Sequence, residues 1–140
     1  MQKSLPVILV VLVLLMASLA CSLFTGGGEI GLENVRMAFD SDGNNLTDIF
    51  SPSDVFFAVA DLKNAPAGTV VEAKWIAVQI ETFDPGELIY EQAINDFTDD
   101  SFTGTIYFQL SNDDGWPAGE YRVDIYLNGT FVGSAAFSVQ

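Results

Sequence analysis

The chain has 140 residues, of which 49% are hydrophobic, and it carries 19 acidic against 5 basic residues. This length suffices for one folded domain, and so apolar a composition excludes an acidic disordered tail. The negative charge argues against nucleic acid as a partner, because such a surface repels phosphates. The absence of histidine and the single cysteine exclude imidazole catalysis, intrachain disulfides and thiolate zinc sites.

The first 20 residues have the organisation of a bacterial signal peptide. Lys3 supplies a positive start, and the apolar stretch over residues 7–19 is too short to span a bilayer comfortably. The run Ser18-Leu19-Ala20-Cys21 resembles the lipobox of bacterial lipoproteins, in which the cysteine carries diacylglycerol and becomes the first residue. The resemblance implies an exported protein that is anchored to the cell membrane through a lipid on Cys21. The alternative is an ordinary signal peptide, or an uncleaved anchor, with an incidental cysteine.

Residues 21–29 are predicted to be the lipidated cysteine followed by a flexible tether. The three consecutive glycines Gly26-Gly27-Gly28 favour an irregular chain over a regular element. The seven residues after Cys21 extend over about 25 Å at most. The domain predicted over residues 30–140 would therefore stay close to the membrane surface.

From Ile30 onward, short β-branched and aromatic runs alternate with turn residues at a spacing typical of a β-sandwich. An all-β domain of seven strands is predicted. The strands are Leu32–Phe39, Val55–Leu62, Val70–Ile80, Leu88–Ile94, Phe102–Leu110, Glu120–Leu127 and Phe131–Val139. The segment Leu88–Ile94 also fits a short helix, but the turn residues Asp84-Pro85-Gly86 before it favour a strand.

Two strands need an irregularity to keep their apolar side chains on one face. The third predicted strand changes phase within Trp75–Val78, which predicts a β-bulge there. Asn128-Gly129 predicts a two-residue type I′ hairpin turn. In that register Phe137 would face away from the core, so we expect one residue to bulge, and Gly133 can do so most cheaply.

Two aromatic residues resemble those of immunoglobulin-like sandwiches. Tyr121 stands near the start of the sixth predicted strand, as in the tyrosine corner, and Trp75 lies on the third predicted strand, where that fold has its core tryptophan. The stretch Gly115–Val139 is also similar to the ends of immunoglobulin-like modules in bacterial surface proteins. Both disulfide cysteines of antibody domains are missing. The resemblance implies a fold and not a ligand.

The loop over residues 40–48 is a candidate calcium site. It supplies oxygen ligands around a glycine, as calcium loops do, from Asp40, Asp42, Asn44 and Asp48. The alternative is a tight turn, because Asp, Asn and Gly are the residues that turns use and no glutamate closes the loop at the twelfth position. No other cofactor is indicated.

Trp116 is a candidate ligand-binding residue, because an exposed tryptophan on a loop can stack on a sugar or anchor a partner. The alternative is that it closes one end of the core. Asp99-Asp100 and Asn112-Asp113-Asp114 are acidic loop clusters, whose carboxylates could act as the acid and base of a glycosidase. The alternative is a charged, solvated loop. Because adjacent side chains diverge, no catalytic residue is assigned, and we expect that the protein is not an enzyme.

These features together predict a non-catalytic, membrane-tethered module outside the cytoplasm that binds another protein or a surface glycan. Loops on a rigid sandwich are well suited to such binding. Two alternatives remain open. One is a lipoprotein that inhibits a protease with a protruding loop, and the other is a calcium-binding surface or adhesion module.

Overall fold

The computed structural model describes residues 28–140, so Cys21 and the predicted signal peptide lie outside the described residues. The described chain is all-β, as predicted. Its strands are β1 (Gly31–Ala38), β2 (Ile49–Phe50), β3 (Phe56–Ala65), β4 (Val71–Ile80), β5 (Leu88–Ile94), β6 (Phe102–Leu110), β7 (Gly119–Leu127) and β8 (Thr130–Val139). Over residues 28–140 there is no helix of the length and apolarity needed to cross a bilayer.

The eight strands form two sheets that pack face to face as a sandwich. One sheet has the order β1-β3-β6, and the other has the order β2-β8-β7-β4-β5. The pairing is antiparallel except between β2 and β8, which are parallel. All seven predicted strands are present, but the prediction of seven is corrected to eight. The additional strand, β2, pairs through only two residues, too few to produce an alternating pattern.

The core between the sheets is built largely from aromatic rings. Phe56 is fully buried at its centre, with ring centroids at 4.8 Å for Phe50, 4.9 Å for Phe137 and 5.4 Å for Trp116. Each such side chain contributes about 1.5–3 kcal/mol by leaving water. Trp75 is only 1% exposed, which confirms it as a core residue. Packing of this kind stabilises a domain whose described part has no cysteine.

The predicted bulge in β4 is confirmed. The register of β4 against β7 shifts between Ala77 and Gln79, and the intervening Val78 is the extra residue, exposed to solvent. A bulge allows a side-chain pattern to change phase within one strand, which the sequence of β4 requires.

The bulge in β8 lies one residue away from its predicted position. Asn128 and Gly129 have φ of 49° and 83°, as a type I′ turn requires. The register then shifts so that Gly133 pairs with Ile125 and Val132 is left over. The glycine serves close packing instead: a Cβ on Gly133 would lie 3.1 Å from the side chain of Val35 on β1.

The strand pairing places the loops at two ends of the sandwich. The end that we call the N-terminal end holds residues 28–30, loops 66–70 and 95–101 and the hairpin turn 128–129. The opposite end, which we call the distal end, holds four loops. They cover residues 39–48, 51–55, 81–87 and 111–118, and are called the distal loops.

Candidate functional site

The distal loops concentrate negative charge. They contain no lysine or arginine, and their acidic residues are Asp40, Asp42, Asp48, Asp54, Glu81, Asp84, Glu87, Asp113 and Asp114. Charges of one sign that face the same side of a domain add to a field that attracts cationic groups and repels anionic ones. The distal loops hold nine acidic residues, and the loops of the N-terminal end hold four, which are Glu29, Asp96, Asp99 and Asp100.

The four basic side chains of residues 28–140 all contact partners on the strands. Three form ion pairs, and one stacks on an aromatic ring. The contacts are Arg36 with Asp61 (3.2 Å), Lys63 with Glu33, Arg122 with Asp124 (2.7 Å), and Lys74 over the ring of Tyr126 (4.8 Å to the centroid). Asp61 accepts hydrogen bonds from Asn34 and from Arg36, and these hold the pKa of its carboxyl below the usual range. Arg36 also lies against loop 39–48, so its charge partly offsets the negative charge of the distal loops at that point.

Apolar side chains accompany the charge at the distal end. Leu46 is 60% exposed, and Phe39 and Ile49 beside it are also exposed. Next to them a groove of about 470 Å³ runs between the loop 39–48 and strand β8, with Leu46 and Asp48 on one side and Ala136 on the other. An apolar surface bordered by charge is the usual composition of a protein-binding surface.

The four residues predicted as calcium ligands are not brought together as a metal site. Both carboxylate oxygens of Asp40 accept backbone N–H groups, from Asn44 at 2.9 Å and from Asn45 at 3.0 Å, so Asp40 closes the turn. Asp42, Asn44 and Asp48 are exposed. In the part of the chain that the structure describes, no three side chains of Asp, Glu, His or Cys are placed to hold a metal ion.

A positive group also lies where a cation in this loop would be expected. A Cβ on Gly43 would lie 2.7 Å from Nε of Arg36, so the guanidinium is directly beneath the middle of the loop. A second cation there would be repelled at short range. The arrangement matches the alternative interpretation of the loop as a tight turn.

For Trp116 the structure matches the alternative interpretation, a residue that closes one end of the core. Trp116 is 8% exposed and packs against Phe56 and Tyr121, and its backbone N–H donates to the carbonyl oxygen of Pro52 at 2.8 Å. It therefore closes the distal end of the core. Its Nε1–H is buried and has no acceptor within the described residues.

The two acidic pairs lie far apart. Asp99-Asp100 is in loop 95–101 at the N-terminal end, and Asp113-Asp114 is in loop 111–118 at the distal end, all four side chains being exposed. The two pairs cannot flank one scissile bond, for which carboxyl groups must lie within about 10 Å.

No protein-family model matches the sequence, and no curated protein is similar to it. Several solved structures contain a similar fold. An alkylpurine DNA glycosylase from Pseudomonas fluorescens matches with a TM-score of 0.52 at 14% identity, over 81% of this chain and 31% of that one. A β-glucosidase from Listeria innocua matches with a TM-score of 0.51 at 14% identity, over 81% of this chain and 16% of that one. A β-glucosidase from Erythrobacter marinus matches with a TM-score of 0.55 at 12% identity, over 80% of this chain and 15% of that one.

The chain spans less than a third of each of these proteins. At such low identity the likeness shows the fold alone. The same sandwich thus occurs as a part of larger proteins.

Proposed function

We propose that this chain is a non-catalytic, membrane-tethered module outside the cytoplasm that binds a partner protein or a surface glycan through its distal end. The proposal extends the resemblance to immunoglobulin-like modules of bacterial surface proteins. One observation carries it: the chain enters the domain at residues 28–30, and the distal loops lie at the opposite end. A domain anchored at its N-terminal end would present these loops away from the membrane.

The non-catalytic part of the proposal is supported by chemistry. The chain contains no histidine, its only cysteine is Cys21, and its two acidic pairs lie at opposite ends of the sandwich. Binding needs only a stable surface of suitable charge and shape. The distal end provides this with exposed Leu46 and Ile49 among acidic residues.

The binding surface can be tested by photo-crosslinking in intact cells. A benzophenone amino acid is introduced at Leu46 in the distal loops or, as the control, at the exposed Ala67 in loop 66–70. We expect a discrete adduct from position 46 and none from position 67, since benzophenone reacts with C–H bonds of proteins and sugars alike. Equal adducts from both positions, or none, would contradict a distal binding surface.

The anchor is tested separately with Cys21→Ala. The parent protein is expected in the membrane fraction with a mass that includes acyl chains on Cys21. The variant cannot carry the lipid and is expected to lose that mass. A parent chain of full length with a free thiol would refute the lipoprotein part of the proposal.

A further inference from the structure

The two sheets differ in width, and this leaves part of one inner face uncovered. Tyr90 on β5 is directly opposite Trp75 on β4, so both side chains are on the inner face of the five-stranded sheet. Trp75 is 1% exposed, but Tyr90 is 52% exposed. Strand β5 is the edge strand of the five-stranded sheet, and β6 is the edge strand of the three-stranded sheet.

A cleft of about 360 Å³ lies in this corner, which we call the amide cleft. Tyr90 and Gln92 of β5 form one wall, Gln109 of β6 forms the other, and Ser111 and Trp116 lie toward the distal end. The volume is within the range of about 300–1,000 Å³ that small-molecule sites occupy.

Gln92 is held in a fixed position within the cleft. Its Oε1 accepts the indole N–H of Trp75 at 3.0 Å, and its Nε2 donates to the backbone oxygen of Gln109 at 2.8 Å. A carboxamide has two donors and two acceptor lone pairs, so one of each remains for a ligand. A polar group that is already oriented loses little entropy on binding.

The ring of Trp116 also lines this cleft. Its Nε1–H lacks an acceptor within the described residues.

The amide cleft is uncharged, although the chain carries 19 acidic residues. Its lining offers neutral amides, the hydroxyl of Ser111 and the exposed ring of Tyr90. Hydroxyl-rich neutral molecules are complementary to such a surface, because each hydroxyl both donates and accepts and the C–H face of a sugar stacks on an aromatic ring. A peptide strand is less suited, since the backbone oxygen of Gln109 is already bonded to Gln92.

We propose that the amide cleft binds a sugar residue of a neutral glycan. This inference rests on the proposed function and names the chemistry of one ligand. It also gives the protein a second contact region, separate from the groove beside Leu46.

The test uses the full chain, purified in a detergent without a sugar headgroup. The chain has two tryptophans. Trp116 lines the amide cleft, and the indole N–H of Trp75 donates to Gln92 in the wall of the cleft, so the two indole N–H resonances report on it. Glucose and N-acetylglucosamine tetrasaccharides serve as neutral probes, and tetragalacturonate serves as the charged control. We expect saturable shifts of both resonances with the matching neutral probe and none with tetragalacturonate.

Two exposed tyrosines provide matched variants. Tyr90→Ala removes the ring from the amide cleft, and Tyr107→Ala removes a ring of similar exposure, 46%, from the outer face of β6. We expect Tyr90→Ala to weaken binding at least tenfold and Tyr107→Ala to change it less than twofold, with both variants retaining the parent's circular dichroism spectrum.

The proposal would be overturned if neither neutral probe produced a saturable shift at concentrations up to 10 mM, which corresponds to about 2.7 kcal/mol of binding free energy. It would also be overturned if Tyr90→Ala and Tyr107→Ala weakened sugar binding equally. A protein adduct from position 46 without sugar binding would overturn the proposed sugar site in the amide cleft and support the distal binding surface. Sugar binding without that adduct would support the sugar site and overturn the distal binding surface.

Discussion

At the scale of single residues, Tyr121 connects the start of β7 to the loop before it. Its hydroxyl donates to the backbone oxygen of Pro117 at 2.6 Å, which is the contact expected of a tyrosine corner. Its ring stacks on Phe137, with centroids 5.3 Å apart. Burial raises the pKa of the Tyr121 hydroxyl to about 12.

Replacing Tyr121 by Phe should lower the free energy of unfolding by about 1–2 kcal/mol, because the carbonyl oxygen of Pro117 loses its donor. Urea denaturation at pH 7 measures the change. Tyr107→Phe, at an exposed position, is the control and should be neutral.

The same variant has a pH signature. The folded-state pKa of Tyr121 is above the unfolded value of about 10. The contribution of its neutral hydroxyl to the free energy of unfolding is therefore complete below pH 10 and is lost as the pH rises through 12. The parent should therefore lose stability relative to Tyr121→Phe over this interval. Parallel curves for the two proteins between pH 10 and 12 would contradict the assigned environment.

Gly119 is required by the backbone at the start of β7. Its φ is 148°, and a Cβ would lie 2.4 Å from the backbone oxygen of Gln79. Gly119→Ala should cost about 3 kcal/mol or more, since strand β4 must move away. Gly31→Ala is the control, because a Cβ at Gly31 meets nothing within 4 Å. Similar melting temperatures for the two variants would show that the contact relaxes freely.

At the scale of elements, the alternating patterns predicted the strands well because most are long and have one wet face. β5 and β6 occur with their predicted bounds. Strand β2 was not predicted, because Ile49 and Phe50 show no strand pattern of their own. They form a strand only by pairing with Ser138 and Val139, far along the chain. The close packing of Gly133 against Val35, another distant neighbour, was likewise not visible in the pattern of β8.

The candidate site was predicted only in part for the same reason. The sequence supplied the turn residues of loop 39–48, but not the guanidinium of Arg36 beneath it. The sequence identified Trp116 as a candidate. The burial of Trp116, however, depends on contacts with Phe56 and with the carbonyl oxygen of Pro52. The absence of basic residues from the distal loops is visible in the sequence, but only the strand pairing brings those loops to one end.

The turn in loop 39–48 leads to a prediction about Asp40. Asp40→Ala removes the acceptor of two backbone N–H groups and should cost about 1–2 kcal/mol of stability, as the loss of a helix cap does. Asp42→Ala, at an exposed position, is the control and should be nearly neutral.

Calcium distinguishes the two interpretations of this loop. For a turn, Asp40→Ala and the parent should respond alike when millimolar calcium is added during thermal unfolding. A rise of several degrees in the parent that is absent from the variant would instead establish a calcium ligand.

At the scale of the whole molecule, 19 acidic residues with few cations imply that the folded state repels itself. Raising NaCl to 0.5 M screens this repulsion and should increase the melting temperature by about 4 °C. The double variant Asp113→Asn with Asp114→Asn should be more stable than the parent at low salt and should gain less from NaCl. A loss of stability on adding salt would mean that the surface ion pairs outweigh the repulsion.

The placement of the two ends has a mechanical consequence. A pull between residue 28 and loop 111–118 passes along β1 to β3 and on to β6, crossing two antiparallel ladders. Ladder hydrogen bonds lie perpendicular to the strands, so this force shears a whole row of them at once and does not peel them apart one by one. Tension between an anchored N-terminal end and a partner held by this loop would thus meet the sandwich in its most resistant direction.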